Sequence, residues 1–159
     1  MYNQPLVPPG FHVPERLTGN GYYLRMLSID DVEKDFEAVM ESAGRLKGLL
    51  DPESSWPEGL TKKEDMIDLA WHQREFTLRH SFAYTVMSAD ESKCLGCMYI
   101  FPSKNAAFDA AVFYWAREAS NANAIDQELG ILIRTWLAEV WPFKAVAFPG
   151  RDTPWDQVS

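Results

Sequence analysis

Phe108-Asp-Ala-Ala-Val-Phe-Tyr-Trp115 leads into the polar loop Ser120-Asn-Ala-Asn-Ala124 and then into a segment that runs to Trp141. The first part is a near-continuous apolar run rich in aromatics, which predicts a strand buried on both faces. From about Asp126 the period changes. Leu129, Leu132, Ile133, Trp136, Leu137 and Val140 recur at spacings of three and four, one helical stripe. Pro142 stops that helix because it has no N–H to donate. Ala145-Val-Ala-Phe148 is a further apolar run, closed by Pro149-Gly150, and predicts another strand over 144–148. Strand, loop, helix and strand make a βαβ unit with parallel strands and a right-handed crossover. The loop that opens its helix is where an anion would sit.

Upstream of this unit, Tyr22-Tyr-Leu-Arg-Met-Leu27 predicts a strand. Ser28-Ile-Asp-Asp31 then places a polar cap three residues before an acid, with Leu27 and Val32 set as a hydrophobic staple. The helix it opens carries Val32, Phe36, Val39, Ala43, Leu46 and Leu50 on one stripe. After a loop with Pro52 and Pro57, Thr61-Lys-Lys-Glu64 is a second capping box and opens a helix through about Arg79. Phe82 to Met87 and Cys94 to Phe101 read as a hairpin. The spacing thus predicts three segments: an irregular proline-rich arm over 1–20, one α/β domain over 21–150, and a tail over 151–159. The order is β-α-α-β-β-β-α-β, with a mixed, mostly antiparallel sheet flanked by helices.

Composition excludes several classes of function. Hydrophobic residues are 47% and aromatics 13% of the 159-residue chain, enough for a core and too many for a disordered tail. The formal net charge of −8 argues against a grip on nucleic-acid phosphates. No apolar run is long enough to span a membrane, and the amino terminus shows no secretory pattern, so a cytoplasmic protein is expected. Cys94 and Cys97 form a C-x-x-C within a predicted strand, where positions i and i+3 face opposite ways; they read as small buried thiols. No His/Asp/Glu cluster has metal-ligand spacing, and no metal is expected.

This order of elements resembles the GNAT acyltransferase superfamily from about Tyr22 to Phe148. Arg25-Met-Leu27 before Ser28-Ile-Asp-Asp31 is similar to that family's opening strand and first helix. Leu95-Gly-Cys-Met-Tyr-Ile100 resembles its third strand. Val112-Phe-Tyr-Trp-Ala-Arg117 resembles the central strand of the branch that acetylates protein amino termini and antibiotics. The resemblance implies an acyl-CoA N-acyltransferase fold and a reaction in which acetyl-CoA gives its acetyl group to a primary amine. The acceptor would be a small molecule or a protein N-terminus. Phe113, Tyr114 and Trp115 would flank the pantetheine, and Ser120, Asn121, Ala122, Asn123, Ala124 and Ile125 would hold the pyrophosphate. Against the family's Gln/Arg-x-x-Gly-x-Gly/Ala loop the chain offers Asn121, Ala124 and Asp126, without glycine or a basic residue. Asp126 at a helix start would repel phosphate.

Candidates for proton transfer are Glu118 and Asp109, which flank the central strand, and Tyr99 on the hairpin. Tyr84, and His72 with Glu75 on the second helix, are further titratable positions. The family usually continues with another helix and two strands. This chain reaches Ser159 without them, so a homodimer that covers the sheet edge is expected. The alternative reading is a non-catalytic domain that binds a protein partner or small ligand through the old cleft.

Overall fold

A computed structural model describes residues 4–158. Its six strands lie in sequence order across one sheet: β1 (Arg16–Thr18), β2 (Tyr22–Met26), β3 (Phe82–Ser88), β4 (Cys94–Pro102), β5 (Ala110–Ala116) and β6 (Val146–Ala147). Every neighbouring pair is antiparallel except β5 and β6, the strands of the βαβ unit. The helices are α1 (Val32–Glu41), α2 (Ala43–Leu46), α3 (Lys62–Thr77) and α4 (Ala122–Val140). This is the mixed α/β architecture expected.

Two cores form because strand side chains alternate. On one face Tyr22, Leu24, Phe82, Tyr84, Val112 and Tyr114 pack with Leu129, Ile133 and Trp136 of α4. On the other, Tyr23, Tyr99, Phe113 and Trp115 meet Val39 of α1 and Leu69 of α3. Both predicted capping boxes are made: Ser28 with Asp31, and Thr61 with Glu64. The helical stripe read from Val32 to Leu50 does not stay in one helix. The backbone turns at Ser42 (φ −103°, ψ 12°), whose hydroxyl is taken by the Glu118 N–H, and the short α2 follows.

The amino-terminal arm is more ordered than its prolines suggest. Arg16–Thr18 pairs with β2, and Val7 is buried in the α4-side core. The segment is held by its own carbonyls: Tyr84 donates to Pro14 O (2.6 Å), and the Arg79 guanidinium donates to Pro8 O (2.6 Å). The two cysteines also differ from expectation. Both are buried and free, but both belong to the α1/α3-side core. The pairing shifts from Val86↔Gly96 to Met87↔Cys94, so β4 carries one extra residue. Such a bulge reverses the facing of everything before it.

In the same region the β5 backbone lies directly against Gly96. A Cβ on Gly96 would stand 2.1 Å from the Trp115 carbonyl oxygen, a backbone atom that cannot step aside. Gly96→Ala is therefore expected to destabilise the protein by about 2 kcal/mol or more, by strand displacement. Gly44→Ala, in α2 with open space around it, should be neutral or stabilising by up to about 1 kcal/mol. Thermal or urea denaturation of the two variants checks both signs.

Candidate functional site

β5 and β6 pair over only Ala110↔Val146 and Ala111↔Ala147, and then part. Pro149 has no N–H for the ladder, and the Phe148 N–H turns instead to Thr153 Oγ (3.0 Å). Gly150, at φ +78°, completes a tight return in which its N–H donates to Thr153 O (2.9 Å). The outer edge of β5 from Val112 onward is thus left without a strand. A wedge opens along it towards the α4 start.

Two cavities meet in this wedge, on either side of Trp155, whose indole stacks on Phe113 at 6.1 Å between centroids. One, of about 420 Å³, is bounded by Arg45, Trp115, Asp126 and Arg151. The other, of about 550 Å³, is bounded by Phe101 and Phe113 and carries Asp51, Glu53, Lys104 and Asp156 at its rim. Arg151 lies across the wedge itself. It donates to the Tyr114 carbonyl (2.7 Å), pairs with both Asp126 oxygens (2.8 and 2.9 Å) and stacks 3.6 Å from the Tyr114 ring centre.

The helix at the wedge begins earlier than its apolar stripe indicates. Ala122, Asn123, Ala124 and Ile125 are its first turn and not a loop. Alanine is the best helix former but carries no periodic signal, and Ala122 is packed inside. Asn121 is the N-cap, without a side-chain capping bond. Ala122 N–H donates to Ala119 O and Ile125 N–H to Asn121 O, which leaves the Asn123 and Ala124 N–H groups without an acceptor among the described residues. No residue from 117 to 126 has a positive φ, so a phosphate-cradling nest of left-handed backbone is not formed here. Asp126 sits in the second turn with its carboxylate held by Arg151, away from the free N–H groups.

The structure places the other predicted site residues as follows. Phe113 and Trp115 line the two cavities, and Tyr114 presents its carbonyl to the wedge while its ring lies under α4 beside Gly130. Ser120 is exposed beside the helix start. Glu118 is exposed at the end of β5, its N–H on Ser42, and borders neither cavity. Tyr99 is buried behind Trp115, accepting its indole N–H (3.1 Å), and burial holds its phenol far above the ordinary range. Asp109 is at the closed end of the β5–β6 pair, away from the wedge. It accepts from the Lys144 and Ala145 N–H groups (2.6 and 3.0 Å). Sequence reasoning missed the two cations, because Arg45 and Arg151 sit far apart in the chain and outside the loop expected to hold charge. A basic residue directly after Pro149-Gly150 was the available signal.

No protein-family model matches the chain, and no curated protein sequence matches it. Solved structures do. A ribosomal L7/L12 α-N-protein acetyltransferase, RimL, in complex with coenzyme A superposes with a TM-score of 0.61 at 16% identity, over 78% of this chain and 68% of that one. The ribosomal-protein-S5-alanine acetyltransferase from Vibrio fischeri gives 0.57 at 13% identity, over 77% and 67%. FdhC, a nucleotide-linked sugar GNAT, gives 0.57 at 14%, over 88% and 76%. The chain has the GNAT fold. At these identities the likeness is one of architecture, and activity must be argued from the site.

Within this GNAT fold Asp109 has a checkable role as the clasp that starts the β5–β6 pair. The two backbone N–H bonds pull its carboxyl below the usual carboxylate range, with Lys144 adding to the effect. A depressed native pKa contributes stability that is present above the unfolded value and is lost as pH falls through the native one. Asp109→Asn should therefore melt below wild type at pH 6, and the two melting curves should converge as the pH is lowered towards 2.

Proposed function

We propose that the protein is an N-acyltransferase that moves an acetyl group from acetyl-CoA to a primary amine. The observation that carries this reading is the parting of β5 from β6, with one cavity flanked by cations and a second flanked by carboxylates on either side of Trp155. An extended thioester arm needs a strand edge with free backbone groups, and β5 has one from Val112 to Ala116. The pyrophosphate end needs N–H donors and positive charge. Asn123 and Ala124 N–H and the Arg45 guanidinium, which lines this cavity, supply them. The amine end lies in the 550 Å³ cavity, where Asp51, Glu53 and Asp156 attract a cation and can take the proton released when nitrogen attacks the thioester. Positioning two reactants is most of the catalysis such a site must supply.

A second reading follows from Arg151. Its bond to the Tyr114 carbonyl closes the very edge that the thioester arm would use. If that contact is permanent, the domain binds no acyl-CoA and the cleft serves another ligand.

Calorimetric titration of acetyl-CoA separates the two. We expect micromolar binding, weakened about tenfold or more in Arg45→Ala, since a charge-assisted contact contributes about 1.5–3 kcal/mol. Asp126→Ala, which removes a carboxylate near the helix start and releases Arg151, should bind more tightly than wild type. Absence of heat in wild type and in both variants would establish the non-catalytic reading.

A further inference from the structure

A third cavity, of about 200 Å³, lies on the α1/α3 side of the sheet and is lined by none of the lysines or arginines. Asp65, Asp68, Leu69 and His72 face it from α3 at positions i, i+3, i+4 and i+7, a single helical face. Asp35 enters from α1, Tyr99 from β4, and Trp56 from the loop before α3. Asp35 and Asp65 lie beside each other at its floor, 3% and 2% exposed. Asp68, Leu50 and Trp56 stand at its more open side.

What singles out this chamber is unfinished hydrogen bonding. Among the described residues, three buried side-chain polar atoms have no partner, and two of them, Asp65 Oδ2 and His72 Nδ1, face this one small space. Buried polar groups are as a rule paired, and an unpaired carboxylate oxygen is among the costlier exceptions. The fully buried Glu75, by contrast, is met by Arg74 (3.0 Å) and His80 (2.7 Å). Charge matches a cation. Burial first, and Asp65 next, raise the Asp35 carboxyl well above the usual carboxylate range, and burial raises Asp65 as well. Burial pushes the His72 imidazole down to about 4, so it brings no competing positive charge and can accept a hydrogen bond. The walls are wrong for a hydrated metal ion. Leu27, Val39, Leu50 and Leu69 are apolar, and among the described residues no group of three or more His, Cys, Asp or Glu is arranged to hold one. Aromatic faces beside carboxylates suit alkylammonium.

We propose that this chamber binds a small organic ammonium ion, with its charged nitrogen on Asp65 and Asp68 and its apolar body against Trp56 and Tyr99. The ion is a protonated primary or methylated amine. The site rests on the chamber alone and not on the acyl-transfer reading, because it lies under β4 and outside the β5–β6 wedge. Its volume is below that of ordinary drug-sized pockets, which limits the body to a few carbons.

Propylammonium and tetramethylammonium chloride are the probes, titrated against the ¹H–¹⁵N spectrum at constant ionic strength with sodium chloride as the reference salt. Saturable shifts confined to α3 amides and the Trp56 indole are expected for at least one ammonium and not for sodium. Asp65→Asn, which keeps the volume, should weaken that binding tenfold or more and yet raise the melting temperature, because it removes a buried anion. Asp68→Asn, at the exposed mouth, should weaken binding severalfold and serves as the deciding variant if Asp65→Asn fails to fold. Glu139→Gln on the exposed face of α4 should bind as wild type. The proposal is overturned if neither ammonium gives saturable shifts, if sodium gives the same ones, or if the folded aspartate variants bind unchanged.

Discussion

The pairing of β5 with β6 ends after two residue pairs, and the arrangement of the cleft depends on that early stop. A longer parallel ladder would bury the β5 edge and leave no wedge. The stop is built from local chemistry: a proline without an N–H, a threonine hydroxyl that takes the Phe148 amide, and Gly150. Gly150 is constrained twice, by its positive φ and by the Trp155 indole, which a Cβ would meet at 2.9 Å. The same turn therefore parts the strands and seats the indole that divides the two cavities. Asp109 holds the other end shut. The wedge is a hinge-like opening with one end clasped and one end forced apart.

Arg151 sits in that opening with three partners, and the size of each decides what it can do. Its pair with Asp126 is about a quarter exposed on both sides, so it contributes on the order of 1 kcal/mol or less. The bond to the Tyr114 carbonyl adds about 1.5–3 kcal/mol against full desolvation, less here because water reaches the group. The guanidinium also stacks 3.6 Å from the Tyr114 ring centre. A ligand that brought two or three charged oxygens to the helix start would offset the loss.

Periodicity made most of the fold legible. The two capping boxes, the hairpin and the α4 stripe each carry a local signal that packing then reinforces. What was not legible has identifiable causes. The α4 start was misplaced because Ala122 to Ile125 form helix without an apolar repeat. The cysteines changed face because one inserted residue in β4 reverses alternation, and nothing in Cys94-Leu-Gly-Cys97 announces a bulge except the glycine. β1 was hidden by prolines, which have no N–H and fasten the arm through their carbonyls. The site was less legible than the fold. Phe113, Tyr114 and Trp115 stand at the wedge as their strand required, while Arg45 and Arg151 meet only through tertiary folding.

The floor of the α1/α3 chamber poses a problem that folding does not answer. Two carboxyls side by side in a buried setting oppose each other's ionisation, and burial penalises the charge on either one. Replacing such a pair by apolar side chains of similar volume is commonly neutral or stabilising. The surrounding residues supply the core: Leu27, Leu46, Leu69 and Met87 are nearly or wholly buried. Neither aspartate is met by an arginine or lysine, although Arg25 lies on the same side of the sheet and spends its guanidinium on Asp31 and Glu91. Two buried acids side by side at the bottom of a chamber, one with an oxygen that has no partner among the described residues, have the properties of a site shaped by what enters it.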